Sequence, residues 1–225
     1  MTEPAANIEV VLLAAGLSRR MGSENKLLLS FRGKPLVRHT ASMIVKAGFS
    51  KVVVVTGHDG EDVEAALDGL DVDILFNPRF ASGQMTSVVH GLRALLHDPG
   101  QTAGTMIALA DMPYLQASDY RMVADAFQRA DGERIIVPQY LGQRGNPIIL
   151  PACEVKTAAD GDINTGCRKL IRDNPGRVQT LEVKSAAFIR DIDTPADYGQ
   201  AVASEFPAAS CCSQQSQQGF PHGTE

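Results

Sequence analysis

Short apolar runs rich in β-branched residues alternate with amphipathic stretches along most of this chain. Ile8–Leu13, Lys51–Thr56, Val72–Phe76, Thr105–Leu109 and Arg134–Pro138 read as strands. Pro35–Ala47, Glu61–Leu67, Met85–Leu96 and Ala117–Ala130 place apolar residues three and four apart, which predicts helices between them. Runs that are apolar on both faces, joined by helices, predict βαβ units with right-handed crossovers in a mostly parallel sheet. The pattern changes at Gly142–Leu150, where turn-like residues 142–146 precede Pro147–Pro151. That change predicts a hairpin or small antiparallel addition. A helix near Asn164–Arg172, a strand near Arg177–Val183 and a helix from Pro195 complete an α/β fold.

Such sheets bind ligands beyond the carboxyl ends of their strands, so the segments after each apolar run carry the candidate chemistry. The first run opens into Ala14-Ala15-Gly16-Leu17-Ser18-Arg19-Arg20-Met21-Gly22, and Lys26 follows. Small residues let backbone N–H groups approach anionic oxygens, and Arg19, Arg20 and Lys26 supply charge suited to a triphosphate. The segment has neither the Gly-Lys-Ser/Thr ending of a P-loop nor G-x-G-x-x-G spacing. Lys34, in a turn leading into a helix, lacks the position of Lys26 beside the loop.

Asp111 follows the fourth run directly and suits Mg²⁺, a hard cation that takes oxygen ligands. The alternative is a helix cap, a role open equally to Ser118 and Asp119. Asp191 and Asp193 share one side of an extended segment, so either can meet the same metal. Asp193 or Thr194 can instead cap the helix that starts at Pro195. Gly83–Leu92 begins a helix whose amides and hydroxyls, Thr86 and Ser87, suit a base edge or an anion, while His90 reads as structural.

Length and charge narrow the setting. The 225 residues suit one domain over 1–206, and the Ser-, Gln- and Gly-rich stretch 207–225 reads as a disordered tail. A net charge of −5 argues against general nucleic-acid binding. No apolar run approaches a membrane span, and the polar start, Met1–Asn7, lacks signal-peptide character, so the expected location is the cytoplasm. Cys153, Cys167, Cys211 and Cys212 lack zinc-ligand spacing and read as reduced thiols.

Taken in order, Leu13–Gly22 with Lys26, Gly83–Leu92, Ala110–Pro113, Arg144–Pro147 and Asp191–Tyr198 resemble the MobA-like nucleotidyltransferase family, most closely its molybdenum cofactor cytidylyltransferases. The resemblance implies a three-layer Rossmann-like nucleotidyltransferase fold. It implies that Leu13, Ala14, Ala15, Gly16, Ser18, Arg19, Met21, Gly22 and Lys26 hold the nucleotide, with Gly83 and Ser87 at the base. Asp111, with Asp193, would bind Mg²⁺, and Arg19, Lys26 and Asp111 would serve catalysis. Ala14-Ala15 and Asp111-Met112-Pro113 resemble the cytidylyl branch, which implies CTP as donor, molybdopterin cofactor as acceptor and a molybdoenzyme as recipient of the product. Arg144, Asn146, Gly161, Asp162 and Arg168 are the implied acceptor contacts. Segment 161–168 has two residues more than the family pattern before its second glycine. The competing readings are a guanylyltransferase of the same cofactor, a sugar-phosphate nucleotidyltransferase, and a cofactor-binding chaperone for a molybdoenzyme.

Overall fold

The computed structural model describes residues 7–97, 102–160 and 171–203. In chain order the elements are β1 (Ile8–Ala14), β2 (Ser30–Phe31), β3 (Lys34–Pro35), α1 (Leu36–Ala47), β4 (Lys51–Thr56), α2 (Gly60–Leu67), β5 (Asp73–Phe76) and α3 (Gln84–His97). There follow β6 (Gly104–Leu109), α4 (Ala117–Arg129), β7 (Ile135–Tyr140), β8 (Gln143–Arg144), β9 (Ile148–Pro151), α5 (Ala152–Asp160), β10 (Val178–Glu182) and α6 (Pro195–Ala203). The five alternating strands and the four helices predicted between residues 8 and 138 are present, with ends shifted by a few residues, as are the strand near 177–183 and the helix from Pro195. The helix α5 lies where the sequence reading had none. Its inward positions Val155 and Ala159 are one turn apart, too few to set a period.

The main sheet runs β10-β7-β9-β6-β1-β4-β5, with β8 paired to β7. β5, β4, β1 and β6 are mutually parallel, as are β7 and β10, whereas β9 enters between β6 and β7 antiparallel to both. The expected antiparallel addition is therefore built into the sheet. Its turn comes earlier than predicted. Leu141 and Gly142 take φ of 47° and 81°, the paired positive values of a tight two-residue hairpin, so Gln143 already belongs to a strand.

Strand β1 sits centrally and sends alternate residues to opposite faces. Val10 and Leu12 pack with Val37 and Ile44 of α1 and with Val123 and Phe127 of α4. Val11 and Leu13 pack with Val88 and Leu92 of α3 and with Val155 and Ala159 of α5. Helices thus cover both faces, giving three layers, and the loops after the carboxyl ends of β1, β4, β5 and β6 meet along one edge. The predicted helix over 164–172 falls mostly outside the described residues, as do the tail 207–225 and Cys167, Cys211 and Cys212. Cys153, exposed on α5, is a free thiol.

Candidate active site

Beyond β1 the chain leaves the sheet through Ala15–Ser18 and makes one 3-10 turn, Arg19–Met21. Ser18 adopts φ 48° and ψ 29°, a left-handed conformation that costs a non-glycine residue roughly 1–2 kcal/mol. Its hydrogen bonds offset that cost. The carbonyl accepts from Met21 N at 2.8 Å, and Oγ accepts from Lys26 N at 3.1 Å while donating to Asn25 Oδ1 at 3.3 Å. Buried Asn25 also accepts from Leu27 N at 3.0 Å and donates from Nδ2 toward Asp59 Oδ2 at 3.2 Å. The turn carrying Lys26 is thereby pinned both to the loop and to the end of β4. At Gly16 an added Cβ would meet open space, so its backbone stands bare toward the cleft.

Lys26 is only 7% exposed, and its ammonium lies 2.6 Å from Asp111 Oδ2 and 2.7 Å from Asp193 Oδ1. Arg20 Nη2 reaches Asp193 Oδ2 at 2.6 Å. One carboxylate oxygen from each of Asp111, Asp191 and Asp193 lies within 4.8 Å of the others. The helix caps are made by other residues. Asp119 Oδ2 accepts from Gln116 N at 2.8 Å ahead of α4, and Thr194 and Asp197 bond reciprocally at the start of α6. Asp111 and Asp193 are thus left to the cleft. Ile192 is fully buried and donates to Asp111 O at 2.9 Å, which anchors the segment that presents Asp191 and Asp193 on either side of it.

Electrostatics follows the same geometry. Burial disfavours the Lys26 ammonium, but Asp111 and then Asp193 outweigh it and hold its pKa above the usual 10.5. Burial, then the charges of Asp193 and Asp111, raise Asp191 above 3.8. Asp193 feels an upward pull from burial, which the hydrogen bond and charge of Lys26 and the charge of Arg20 overcome, so it lies below 3.8. Asp111 Oδ1 is buried with no hydrogen-bond partner among the described residues, which leaves a lone pair for a cation. Three hard carboxylates with one such orphaned oxygen fit a divalent cation of the Mg²⁺ or Mn²⁺ type.

A cleft of about 600 Å³ joins these groups, bordered by Leu13, Ala15–Arg20, Lys26, Phe80, Gly83, Ser87, Asp111, Asn146, Asp191 and Asp193 among others. Residues 10–180 match the model of the MobA-like NTP transferase domain. The chain belongs to that family. It is therefore a nucleotidyltransferase, and its relatives show the family's range. A molybdenum cofactor cytidylyltransferase of Escherichia coli K12 is 30% identical over 85% of this chain and 93% of its own length. A nicotine blue oxidoreductase of Paenarthrobacter nicotinovorans is 28% identical, over 82% and 91%. A probable molybdenum cofactor guanylyltransferase of Natronomonas pharaonis is also 28% identical, over 85% and 95%. Among solved structures, a Mycobacterium tuberculosis protein in complex with manganese superposes with a TM-score of 0.66 at 25% identity, over 88% of this chain and 99% of its own.

Within this MobA-like cleft the residues named from sequence divide into groups. Leu13, Ala15, Gly16, Ser18, Arg19, Lys26, Gly83, Ser87, Asp111, Asn146 and Asp193 border it. The side chains of Ala14 and Met21 are buried away from it, at 1% and 8% exposure, and Gly22 ends the 3-10 turn with φ 76°. Arg144 is exposed on β8 and is not among the bordering residues. Gly161, Asp162 and Arg168 lie outside the described residues. His90 bonds Phe76 O at 3.1 Å, in keeping with a structural role. Sequence reasoning gave no site role to Asn25, Phe80, Gly57 or the buried Asn77, although Gly57 and Asn77 stand in the strand-end segments where candidate residues were expected. Asn25 had a signal in its place beside Lys26, but the others act through contacts that no local pattern announces.

Proposed function

We propose that this protein transfers CMP from CTP to the terminal phosphate of molybdopterin cofactor, with Mg²⁺, releasing pyrophosphate. The observation that carries the reading is the meeting of Lys26, Asp111, Asp191 and Asp193 beside a glycine loop with bare backbone. The cytidylyltransferase relative, 30% identical, supports the choice of base and acceptor. A terminal phosphate oxygen of the acceptor forms a bond to the α-phosphorus, the bond from that phosphorus to the bridging oxygen breaks, and the electron pair leaves with pyrophosphate. Lys26, Arg19 and Arg20 neutralise charge that grows on the leaving group, so they act more strongly in the transition state than on bound substrate. Asp111, Asp191 and Asp193 would hold Mg²⁺. When bound, the ion supplies Lewis-acid polarisation of the phosphate oxygens. The main chain at Gly16 and the Gly83–Ser87 turn orient the nucleotide.

The decisive assay incubates the protein with reduced molybdenum cofactor, Mg²⁺ and each of CTP, GTP, ATP and UTP, then identifies the product by mass. A cytosine dinucleotide of the cofactor with matching pyrophosphate is the expected result. A guanine product would replace CTP with GTP, a possibility raised by the guanylyltransferase relative. Tight cofactor binding without pyrophosphate release from any nucleotide would replace transfer by chaperoning.

A further inference from the structure

A buried oxygen with no hydrogen bond among the described residues, such as Asp111 Oδ1, persists only where the backbone that carries it is held from several sides. Left free to move, the carboxylate would turn toward water in the cleft and recover the missing bond. The turn after β6 withholds that freedom. Its carbonyls are tied by donors from distant parts of the chain: Ala110 O accepts from Thr40 Oγ1 at 3.0 Å, Asp111 O from Ile192 N at 2.9 Å and Pro113 O from His39 Nε2 at 3.2 Å. A carbonyl only accepts, so the imidazole of His39 carries a proton on Nε2. The same ring meets Phe31 edge-on, with centroids 4.9 Å apart, which fixes its direction. His39 and Thr40 are consecutive residues of α1, 7% and 1% exposed, and they grip the turn on either side of Asp111. Met112 is buried as well, so the turn cannot lift without exposing it. Neither His39 nor Thr40 borders the cleft.

We propose that His39 and Thr40 are positioning residues for the divalent cation: by fixing the backbone before and after Asp111, they hold its carboxylate with Oδ2 on Lys26 and Oδ1 toward the metal. The 2.6 Å contact with Lys26 engages Oδ2, which makes Oδ1 the oxygen with lone pairs to offer. This inference rests on Asp111 as a ligand of that cation, as proposed above. Groups that orient a metal ligand without touching the metal contribute about 10–100-fold to affinity or activity.

The test reads Mn²⁺ binding to the nucleotide-free protein by electron paramagnetic resonance, and the Mg²⁺ concentration that gives half-maximal transfer. It compares the wild type with Thr40→Val, Thr40→Ser, His39→Leu, His39→Gln and Asp111→Asn, with circular dichroism as a check of folding. Thr40→Val keeps the side-chain shape and removes the donor, so Mn²⁺ affinity should fall by about tenfold and the Mg²⁺ requirement should rise by about as much. Thr40→Ser keeps the hydroxyl and should stay near the wild type. His39→Leu should behave like Thr40→Val, whereas His39→Gln, whose amide nitrogen can stand in for Nε2, should recover most of the loss. A role confined to stability would lower Tm and leave Mn²⁺ affinity unchanged. A folded Thr40→Val with wild-type Mn²⁺ affinity, where Asp111→Asn has lost it, would overturn the inference; should Thr40→Val fail to fold, His39→Leu decides by the same measurement. Asp111→Asn that binds Mn²⁺ like the wild type, or a wild type that binds none, would overturn the proposed metal site instead.

Discussion

At the scale of single residues, Lys26 is the point where two demands meet. Its ammonium bridges Asp111 and Asp193 at 2.6 and 2.7 Å, the same carboxylates proposed for Mg²⁺. Lysine and a divalent cation therefore compete for them. In Lys26→Met, CMP transfer should fall by about 10²–10³, the usual loss when one fixed charge leaves a transition-state site. The same variant should bind Mn²⁺ more tightly than wild type without nucleotide, as read by electron paramagnetic resonance; equal or weaker binding would count against competition. Asp191 has its pKa raised by burial and by neighbouring Asp193 and Asp111, so as a carboxylate it opposes folding. Asp191 is exposed, so solvent screens most of this effect, and Asp191→Asn should raise the Tm of the nucleotide-free protein only slightly at pH 7 while lowering transfer. Asp193 has the opposite sign. Its depressed pKa means that the stabilisation from Lys26 and Arg20 is present above 3.8 and is lost as pH falls through the lower folded value. Asp193→Asn should remove that component of the acid unfolding curve below about pH 4, which a pH series of denaturant melts would reveal.

Elements are held in register by close approaches that only glycine permits. A Cβ added at Gly91 would lie 2.5 Å from Val11 Cγ1 and 3.0 Å from Val55 Cγ2, so α3 rests directly on β1 and β4 there. Ser87 stands one turn earlier on the same helix. Gly91→Ala must lift α3 or displace the valines. Overpacking of this kind costs about 1–3 kcal/mol, and thermal denaturation should show a Tm lower by several degrees together with a raised KM for the nucleotide. A second approach lies at Gly57, where a Cβ would fall 2.5 Å from Phe80 Cβ and 2.9 Å from Ala15 Cβ. There the end of β4, the cleft wall and the glycine loop touch. Gly57 directly follows a predicted strand and Gly91 lies within a predicted helix, but neither carries a sign of what it faces, because the facing atoms come from residues distant along the chain.

For the whole molecule, the cleft lies where the carboxyl ends of parallel strands meet the returning segment 190–194, so ligand binding ties the loop after β1 to the start of α6. Saturating CTP with Mg²⁺ should therefore stabilise the whole fold. At a hundredfold excess over Kd the gain is about 2.7 kcal/mol, or about 5–10 °C in Tm. Asp111→Asn should abolish most of that gain in a thermal-shift assay, and an undiminished shift would remove Asp111 from the metal site. The sequence by itself determined the order of β1, β4, β5, β6 and β7 and of the helices α1–α4 between them, the mostly parallel character of the sheet and the loops that carry Lys26, Asp111 and Asp193. Apolar periodicity and abrupt changes to small or charged residues are local properties, and buried strands cannot be written without them. Tertiary structure alone decided that β9 enters the sheet between β6 and β7, that Thr194 and Asp119 take the caps and free the two metal-facing aspartates, and that Arg20 pairs with Asp193 across 173 positions. It also decided that Ala14 faces the core and that Asn77 donates a hydrogen bond to Ser87. Those outcomes depend on distances between segments far apart in the chain, and they are settled only when the helices pack on the two faces of the sheet and fix the strand ends against one another.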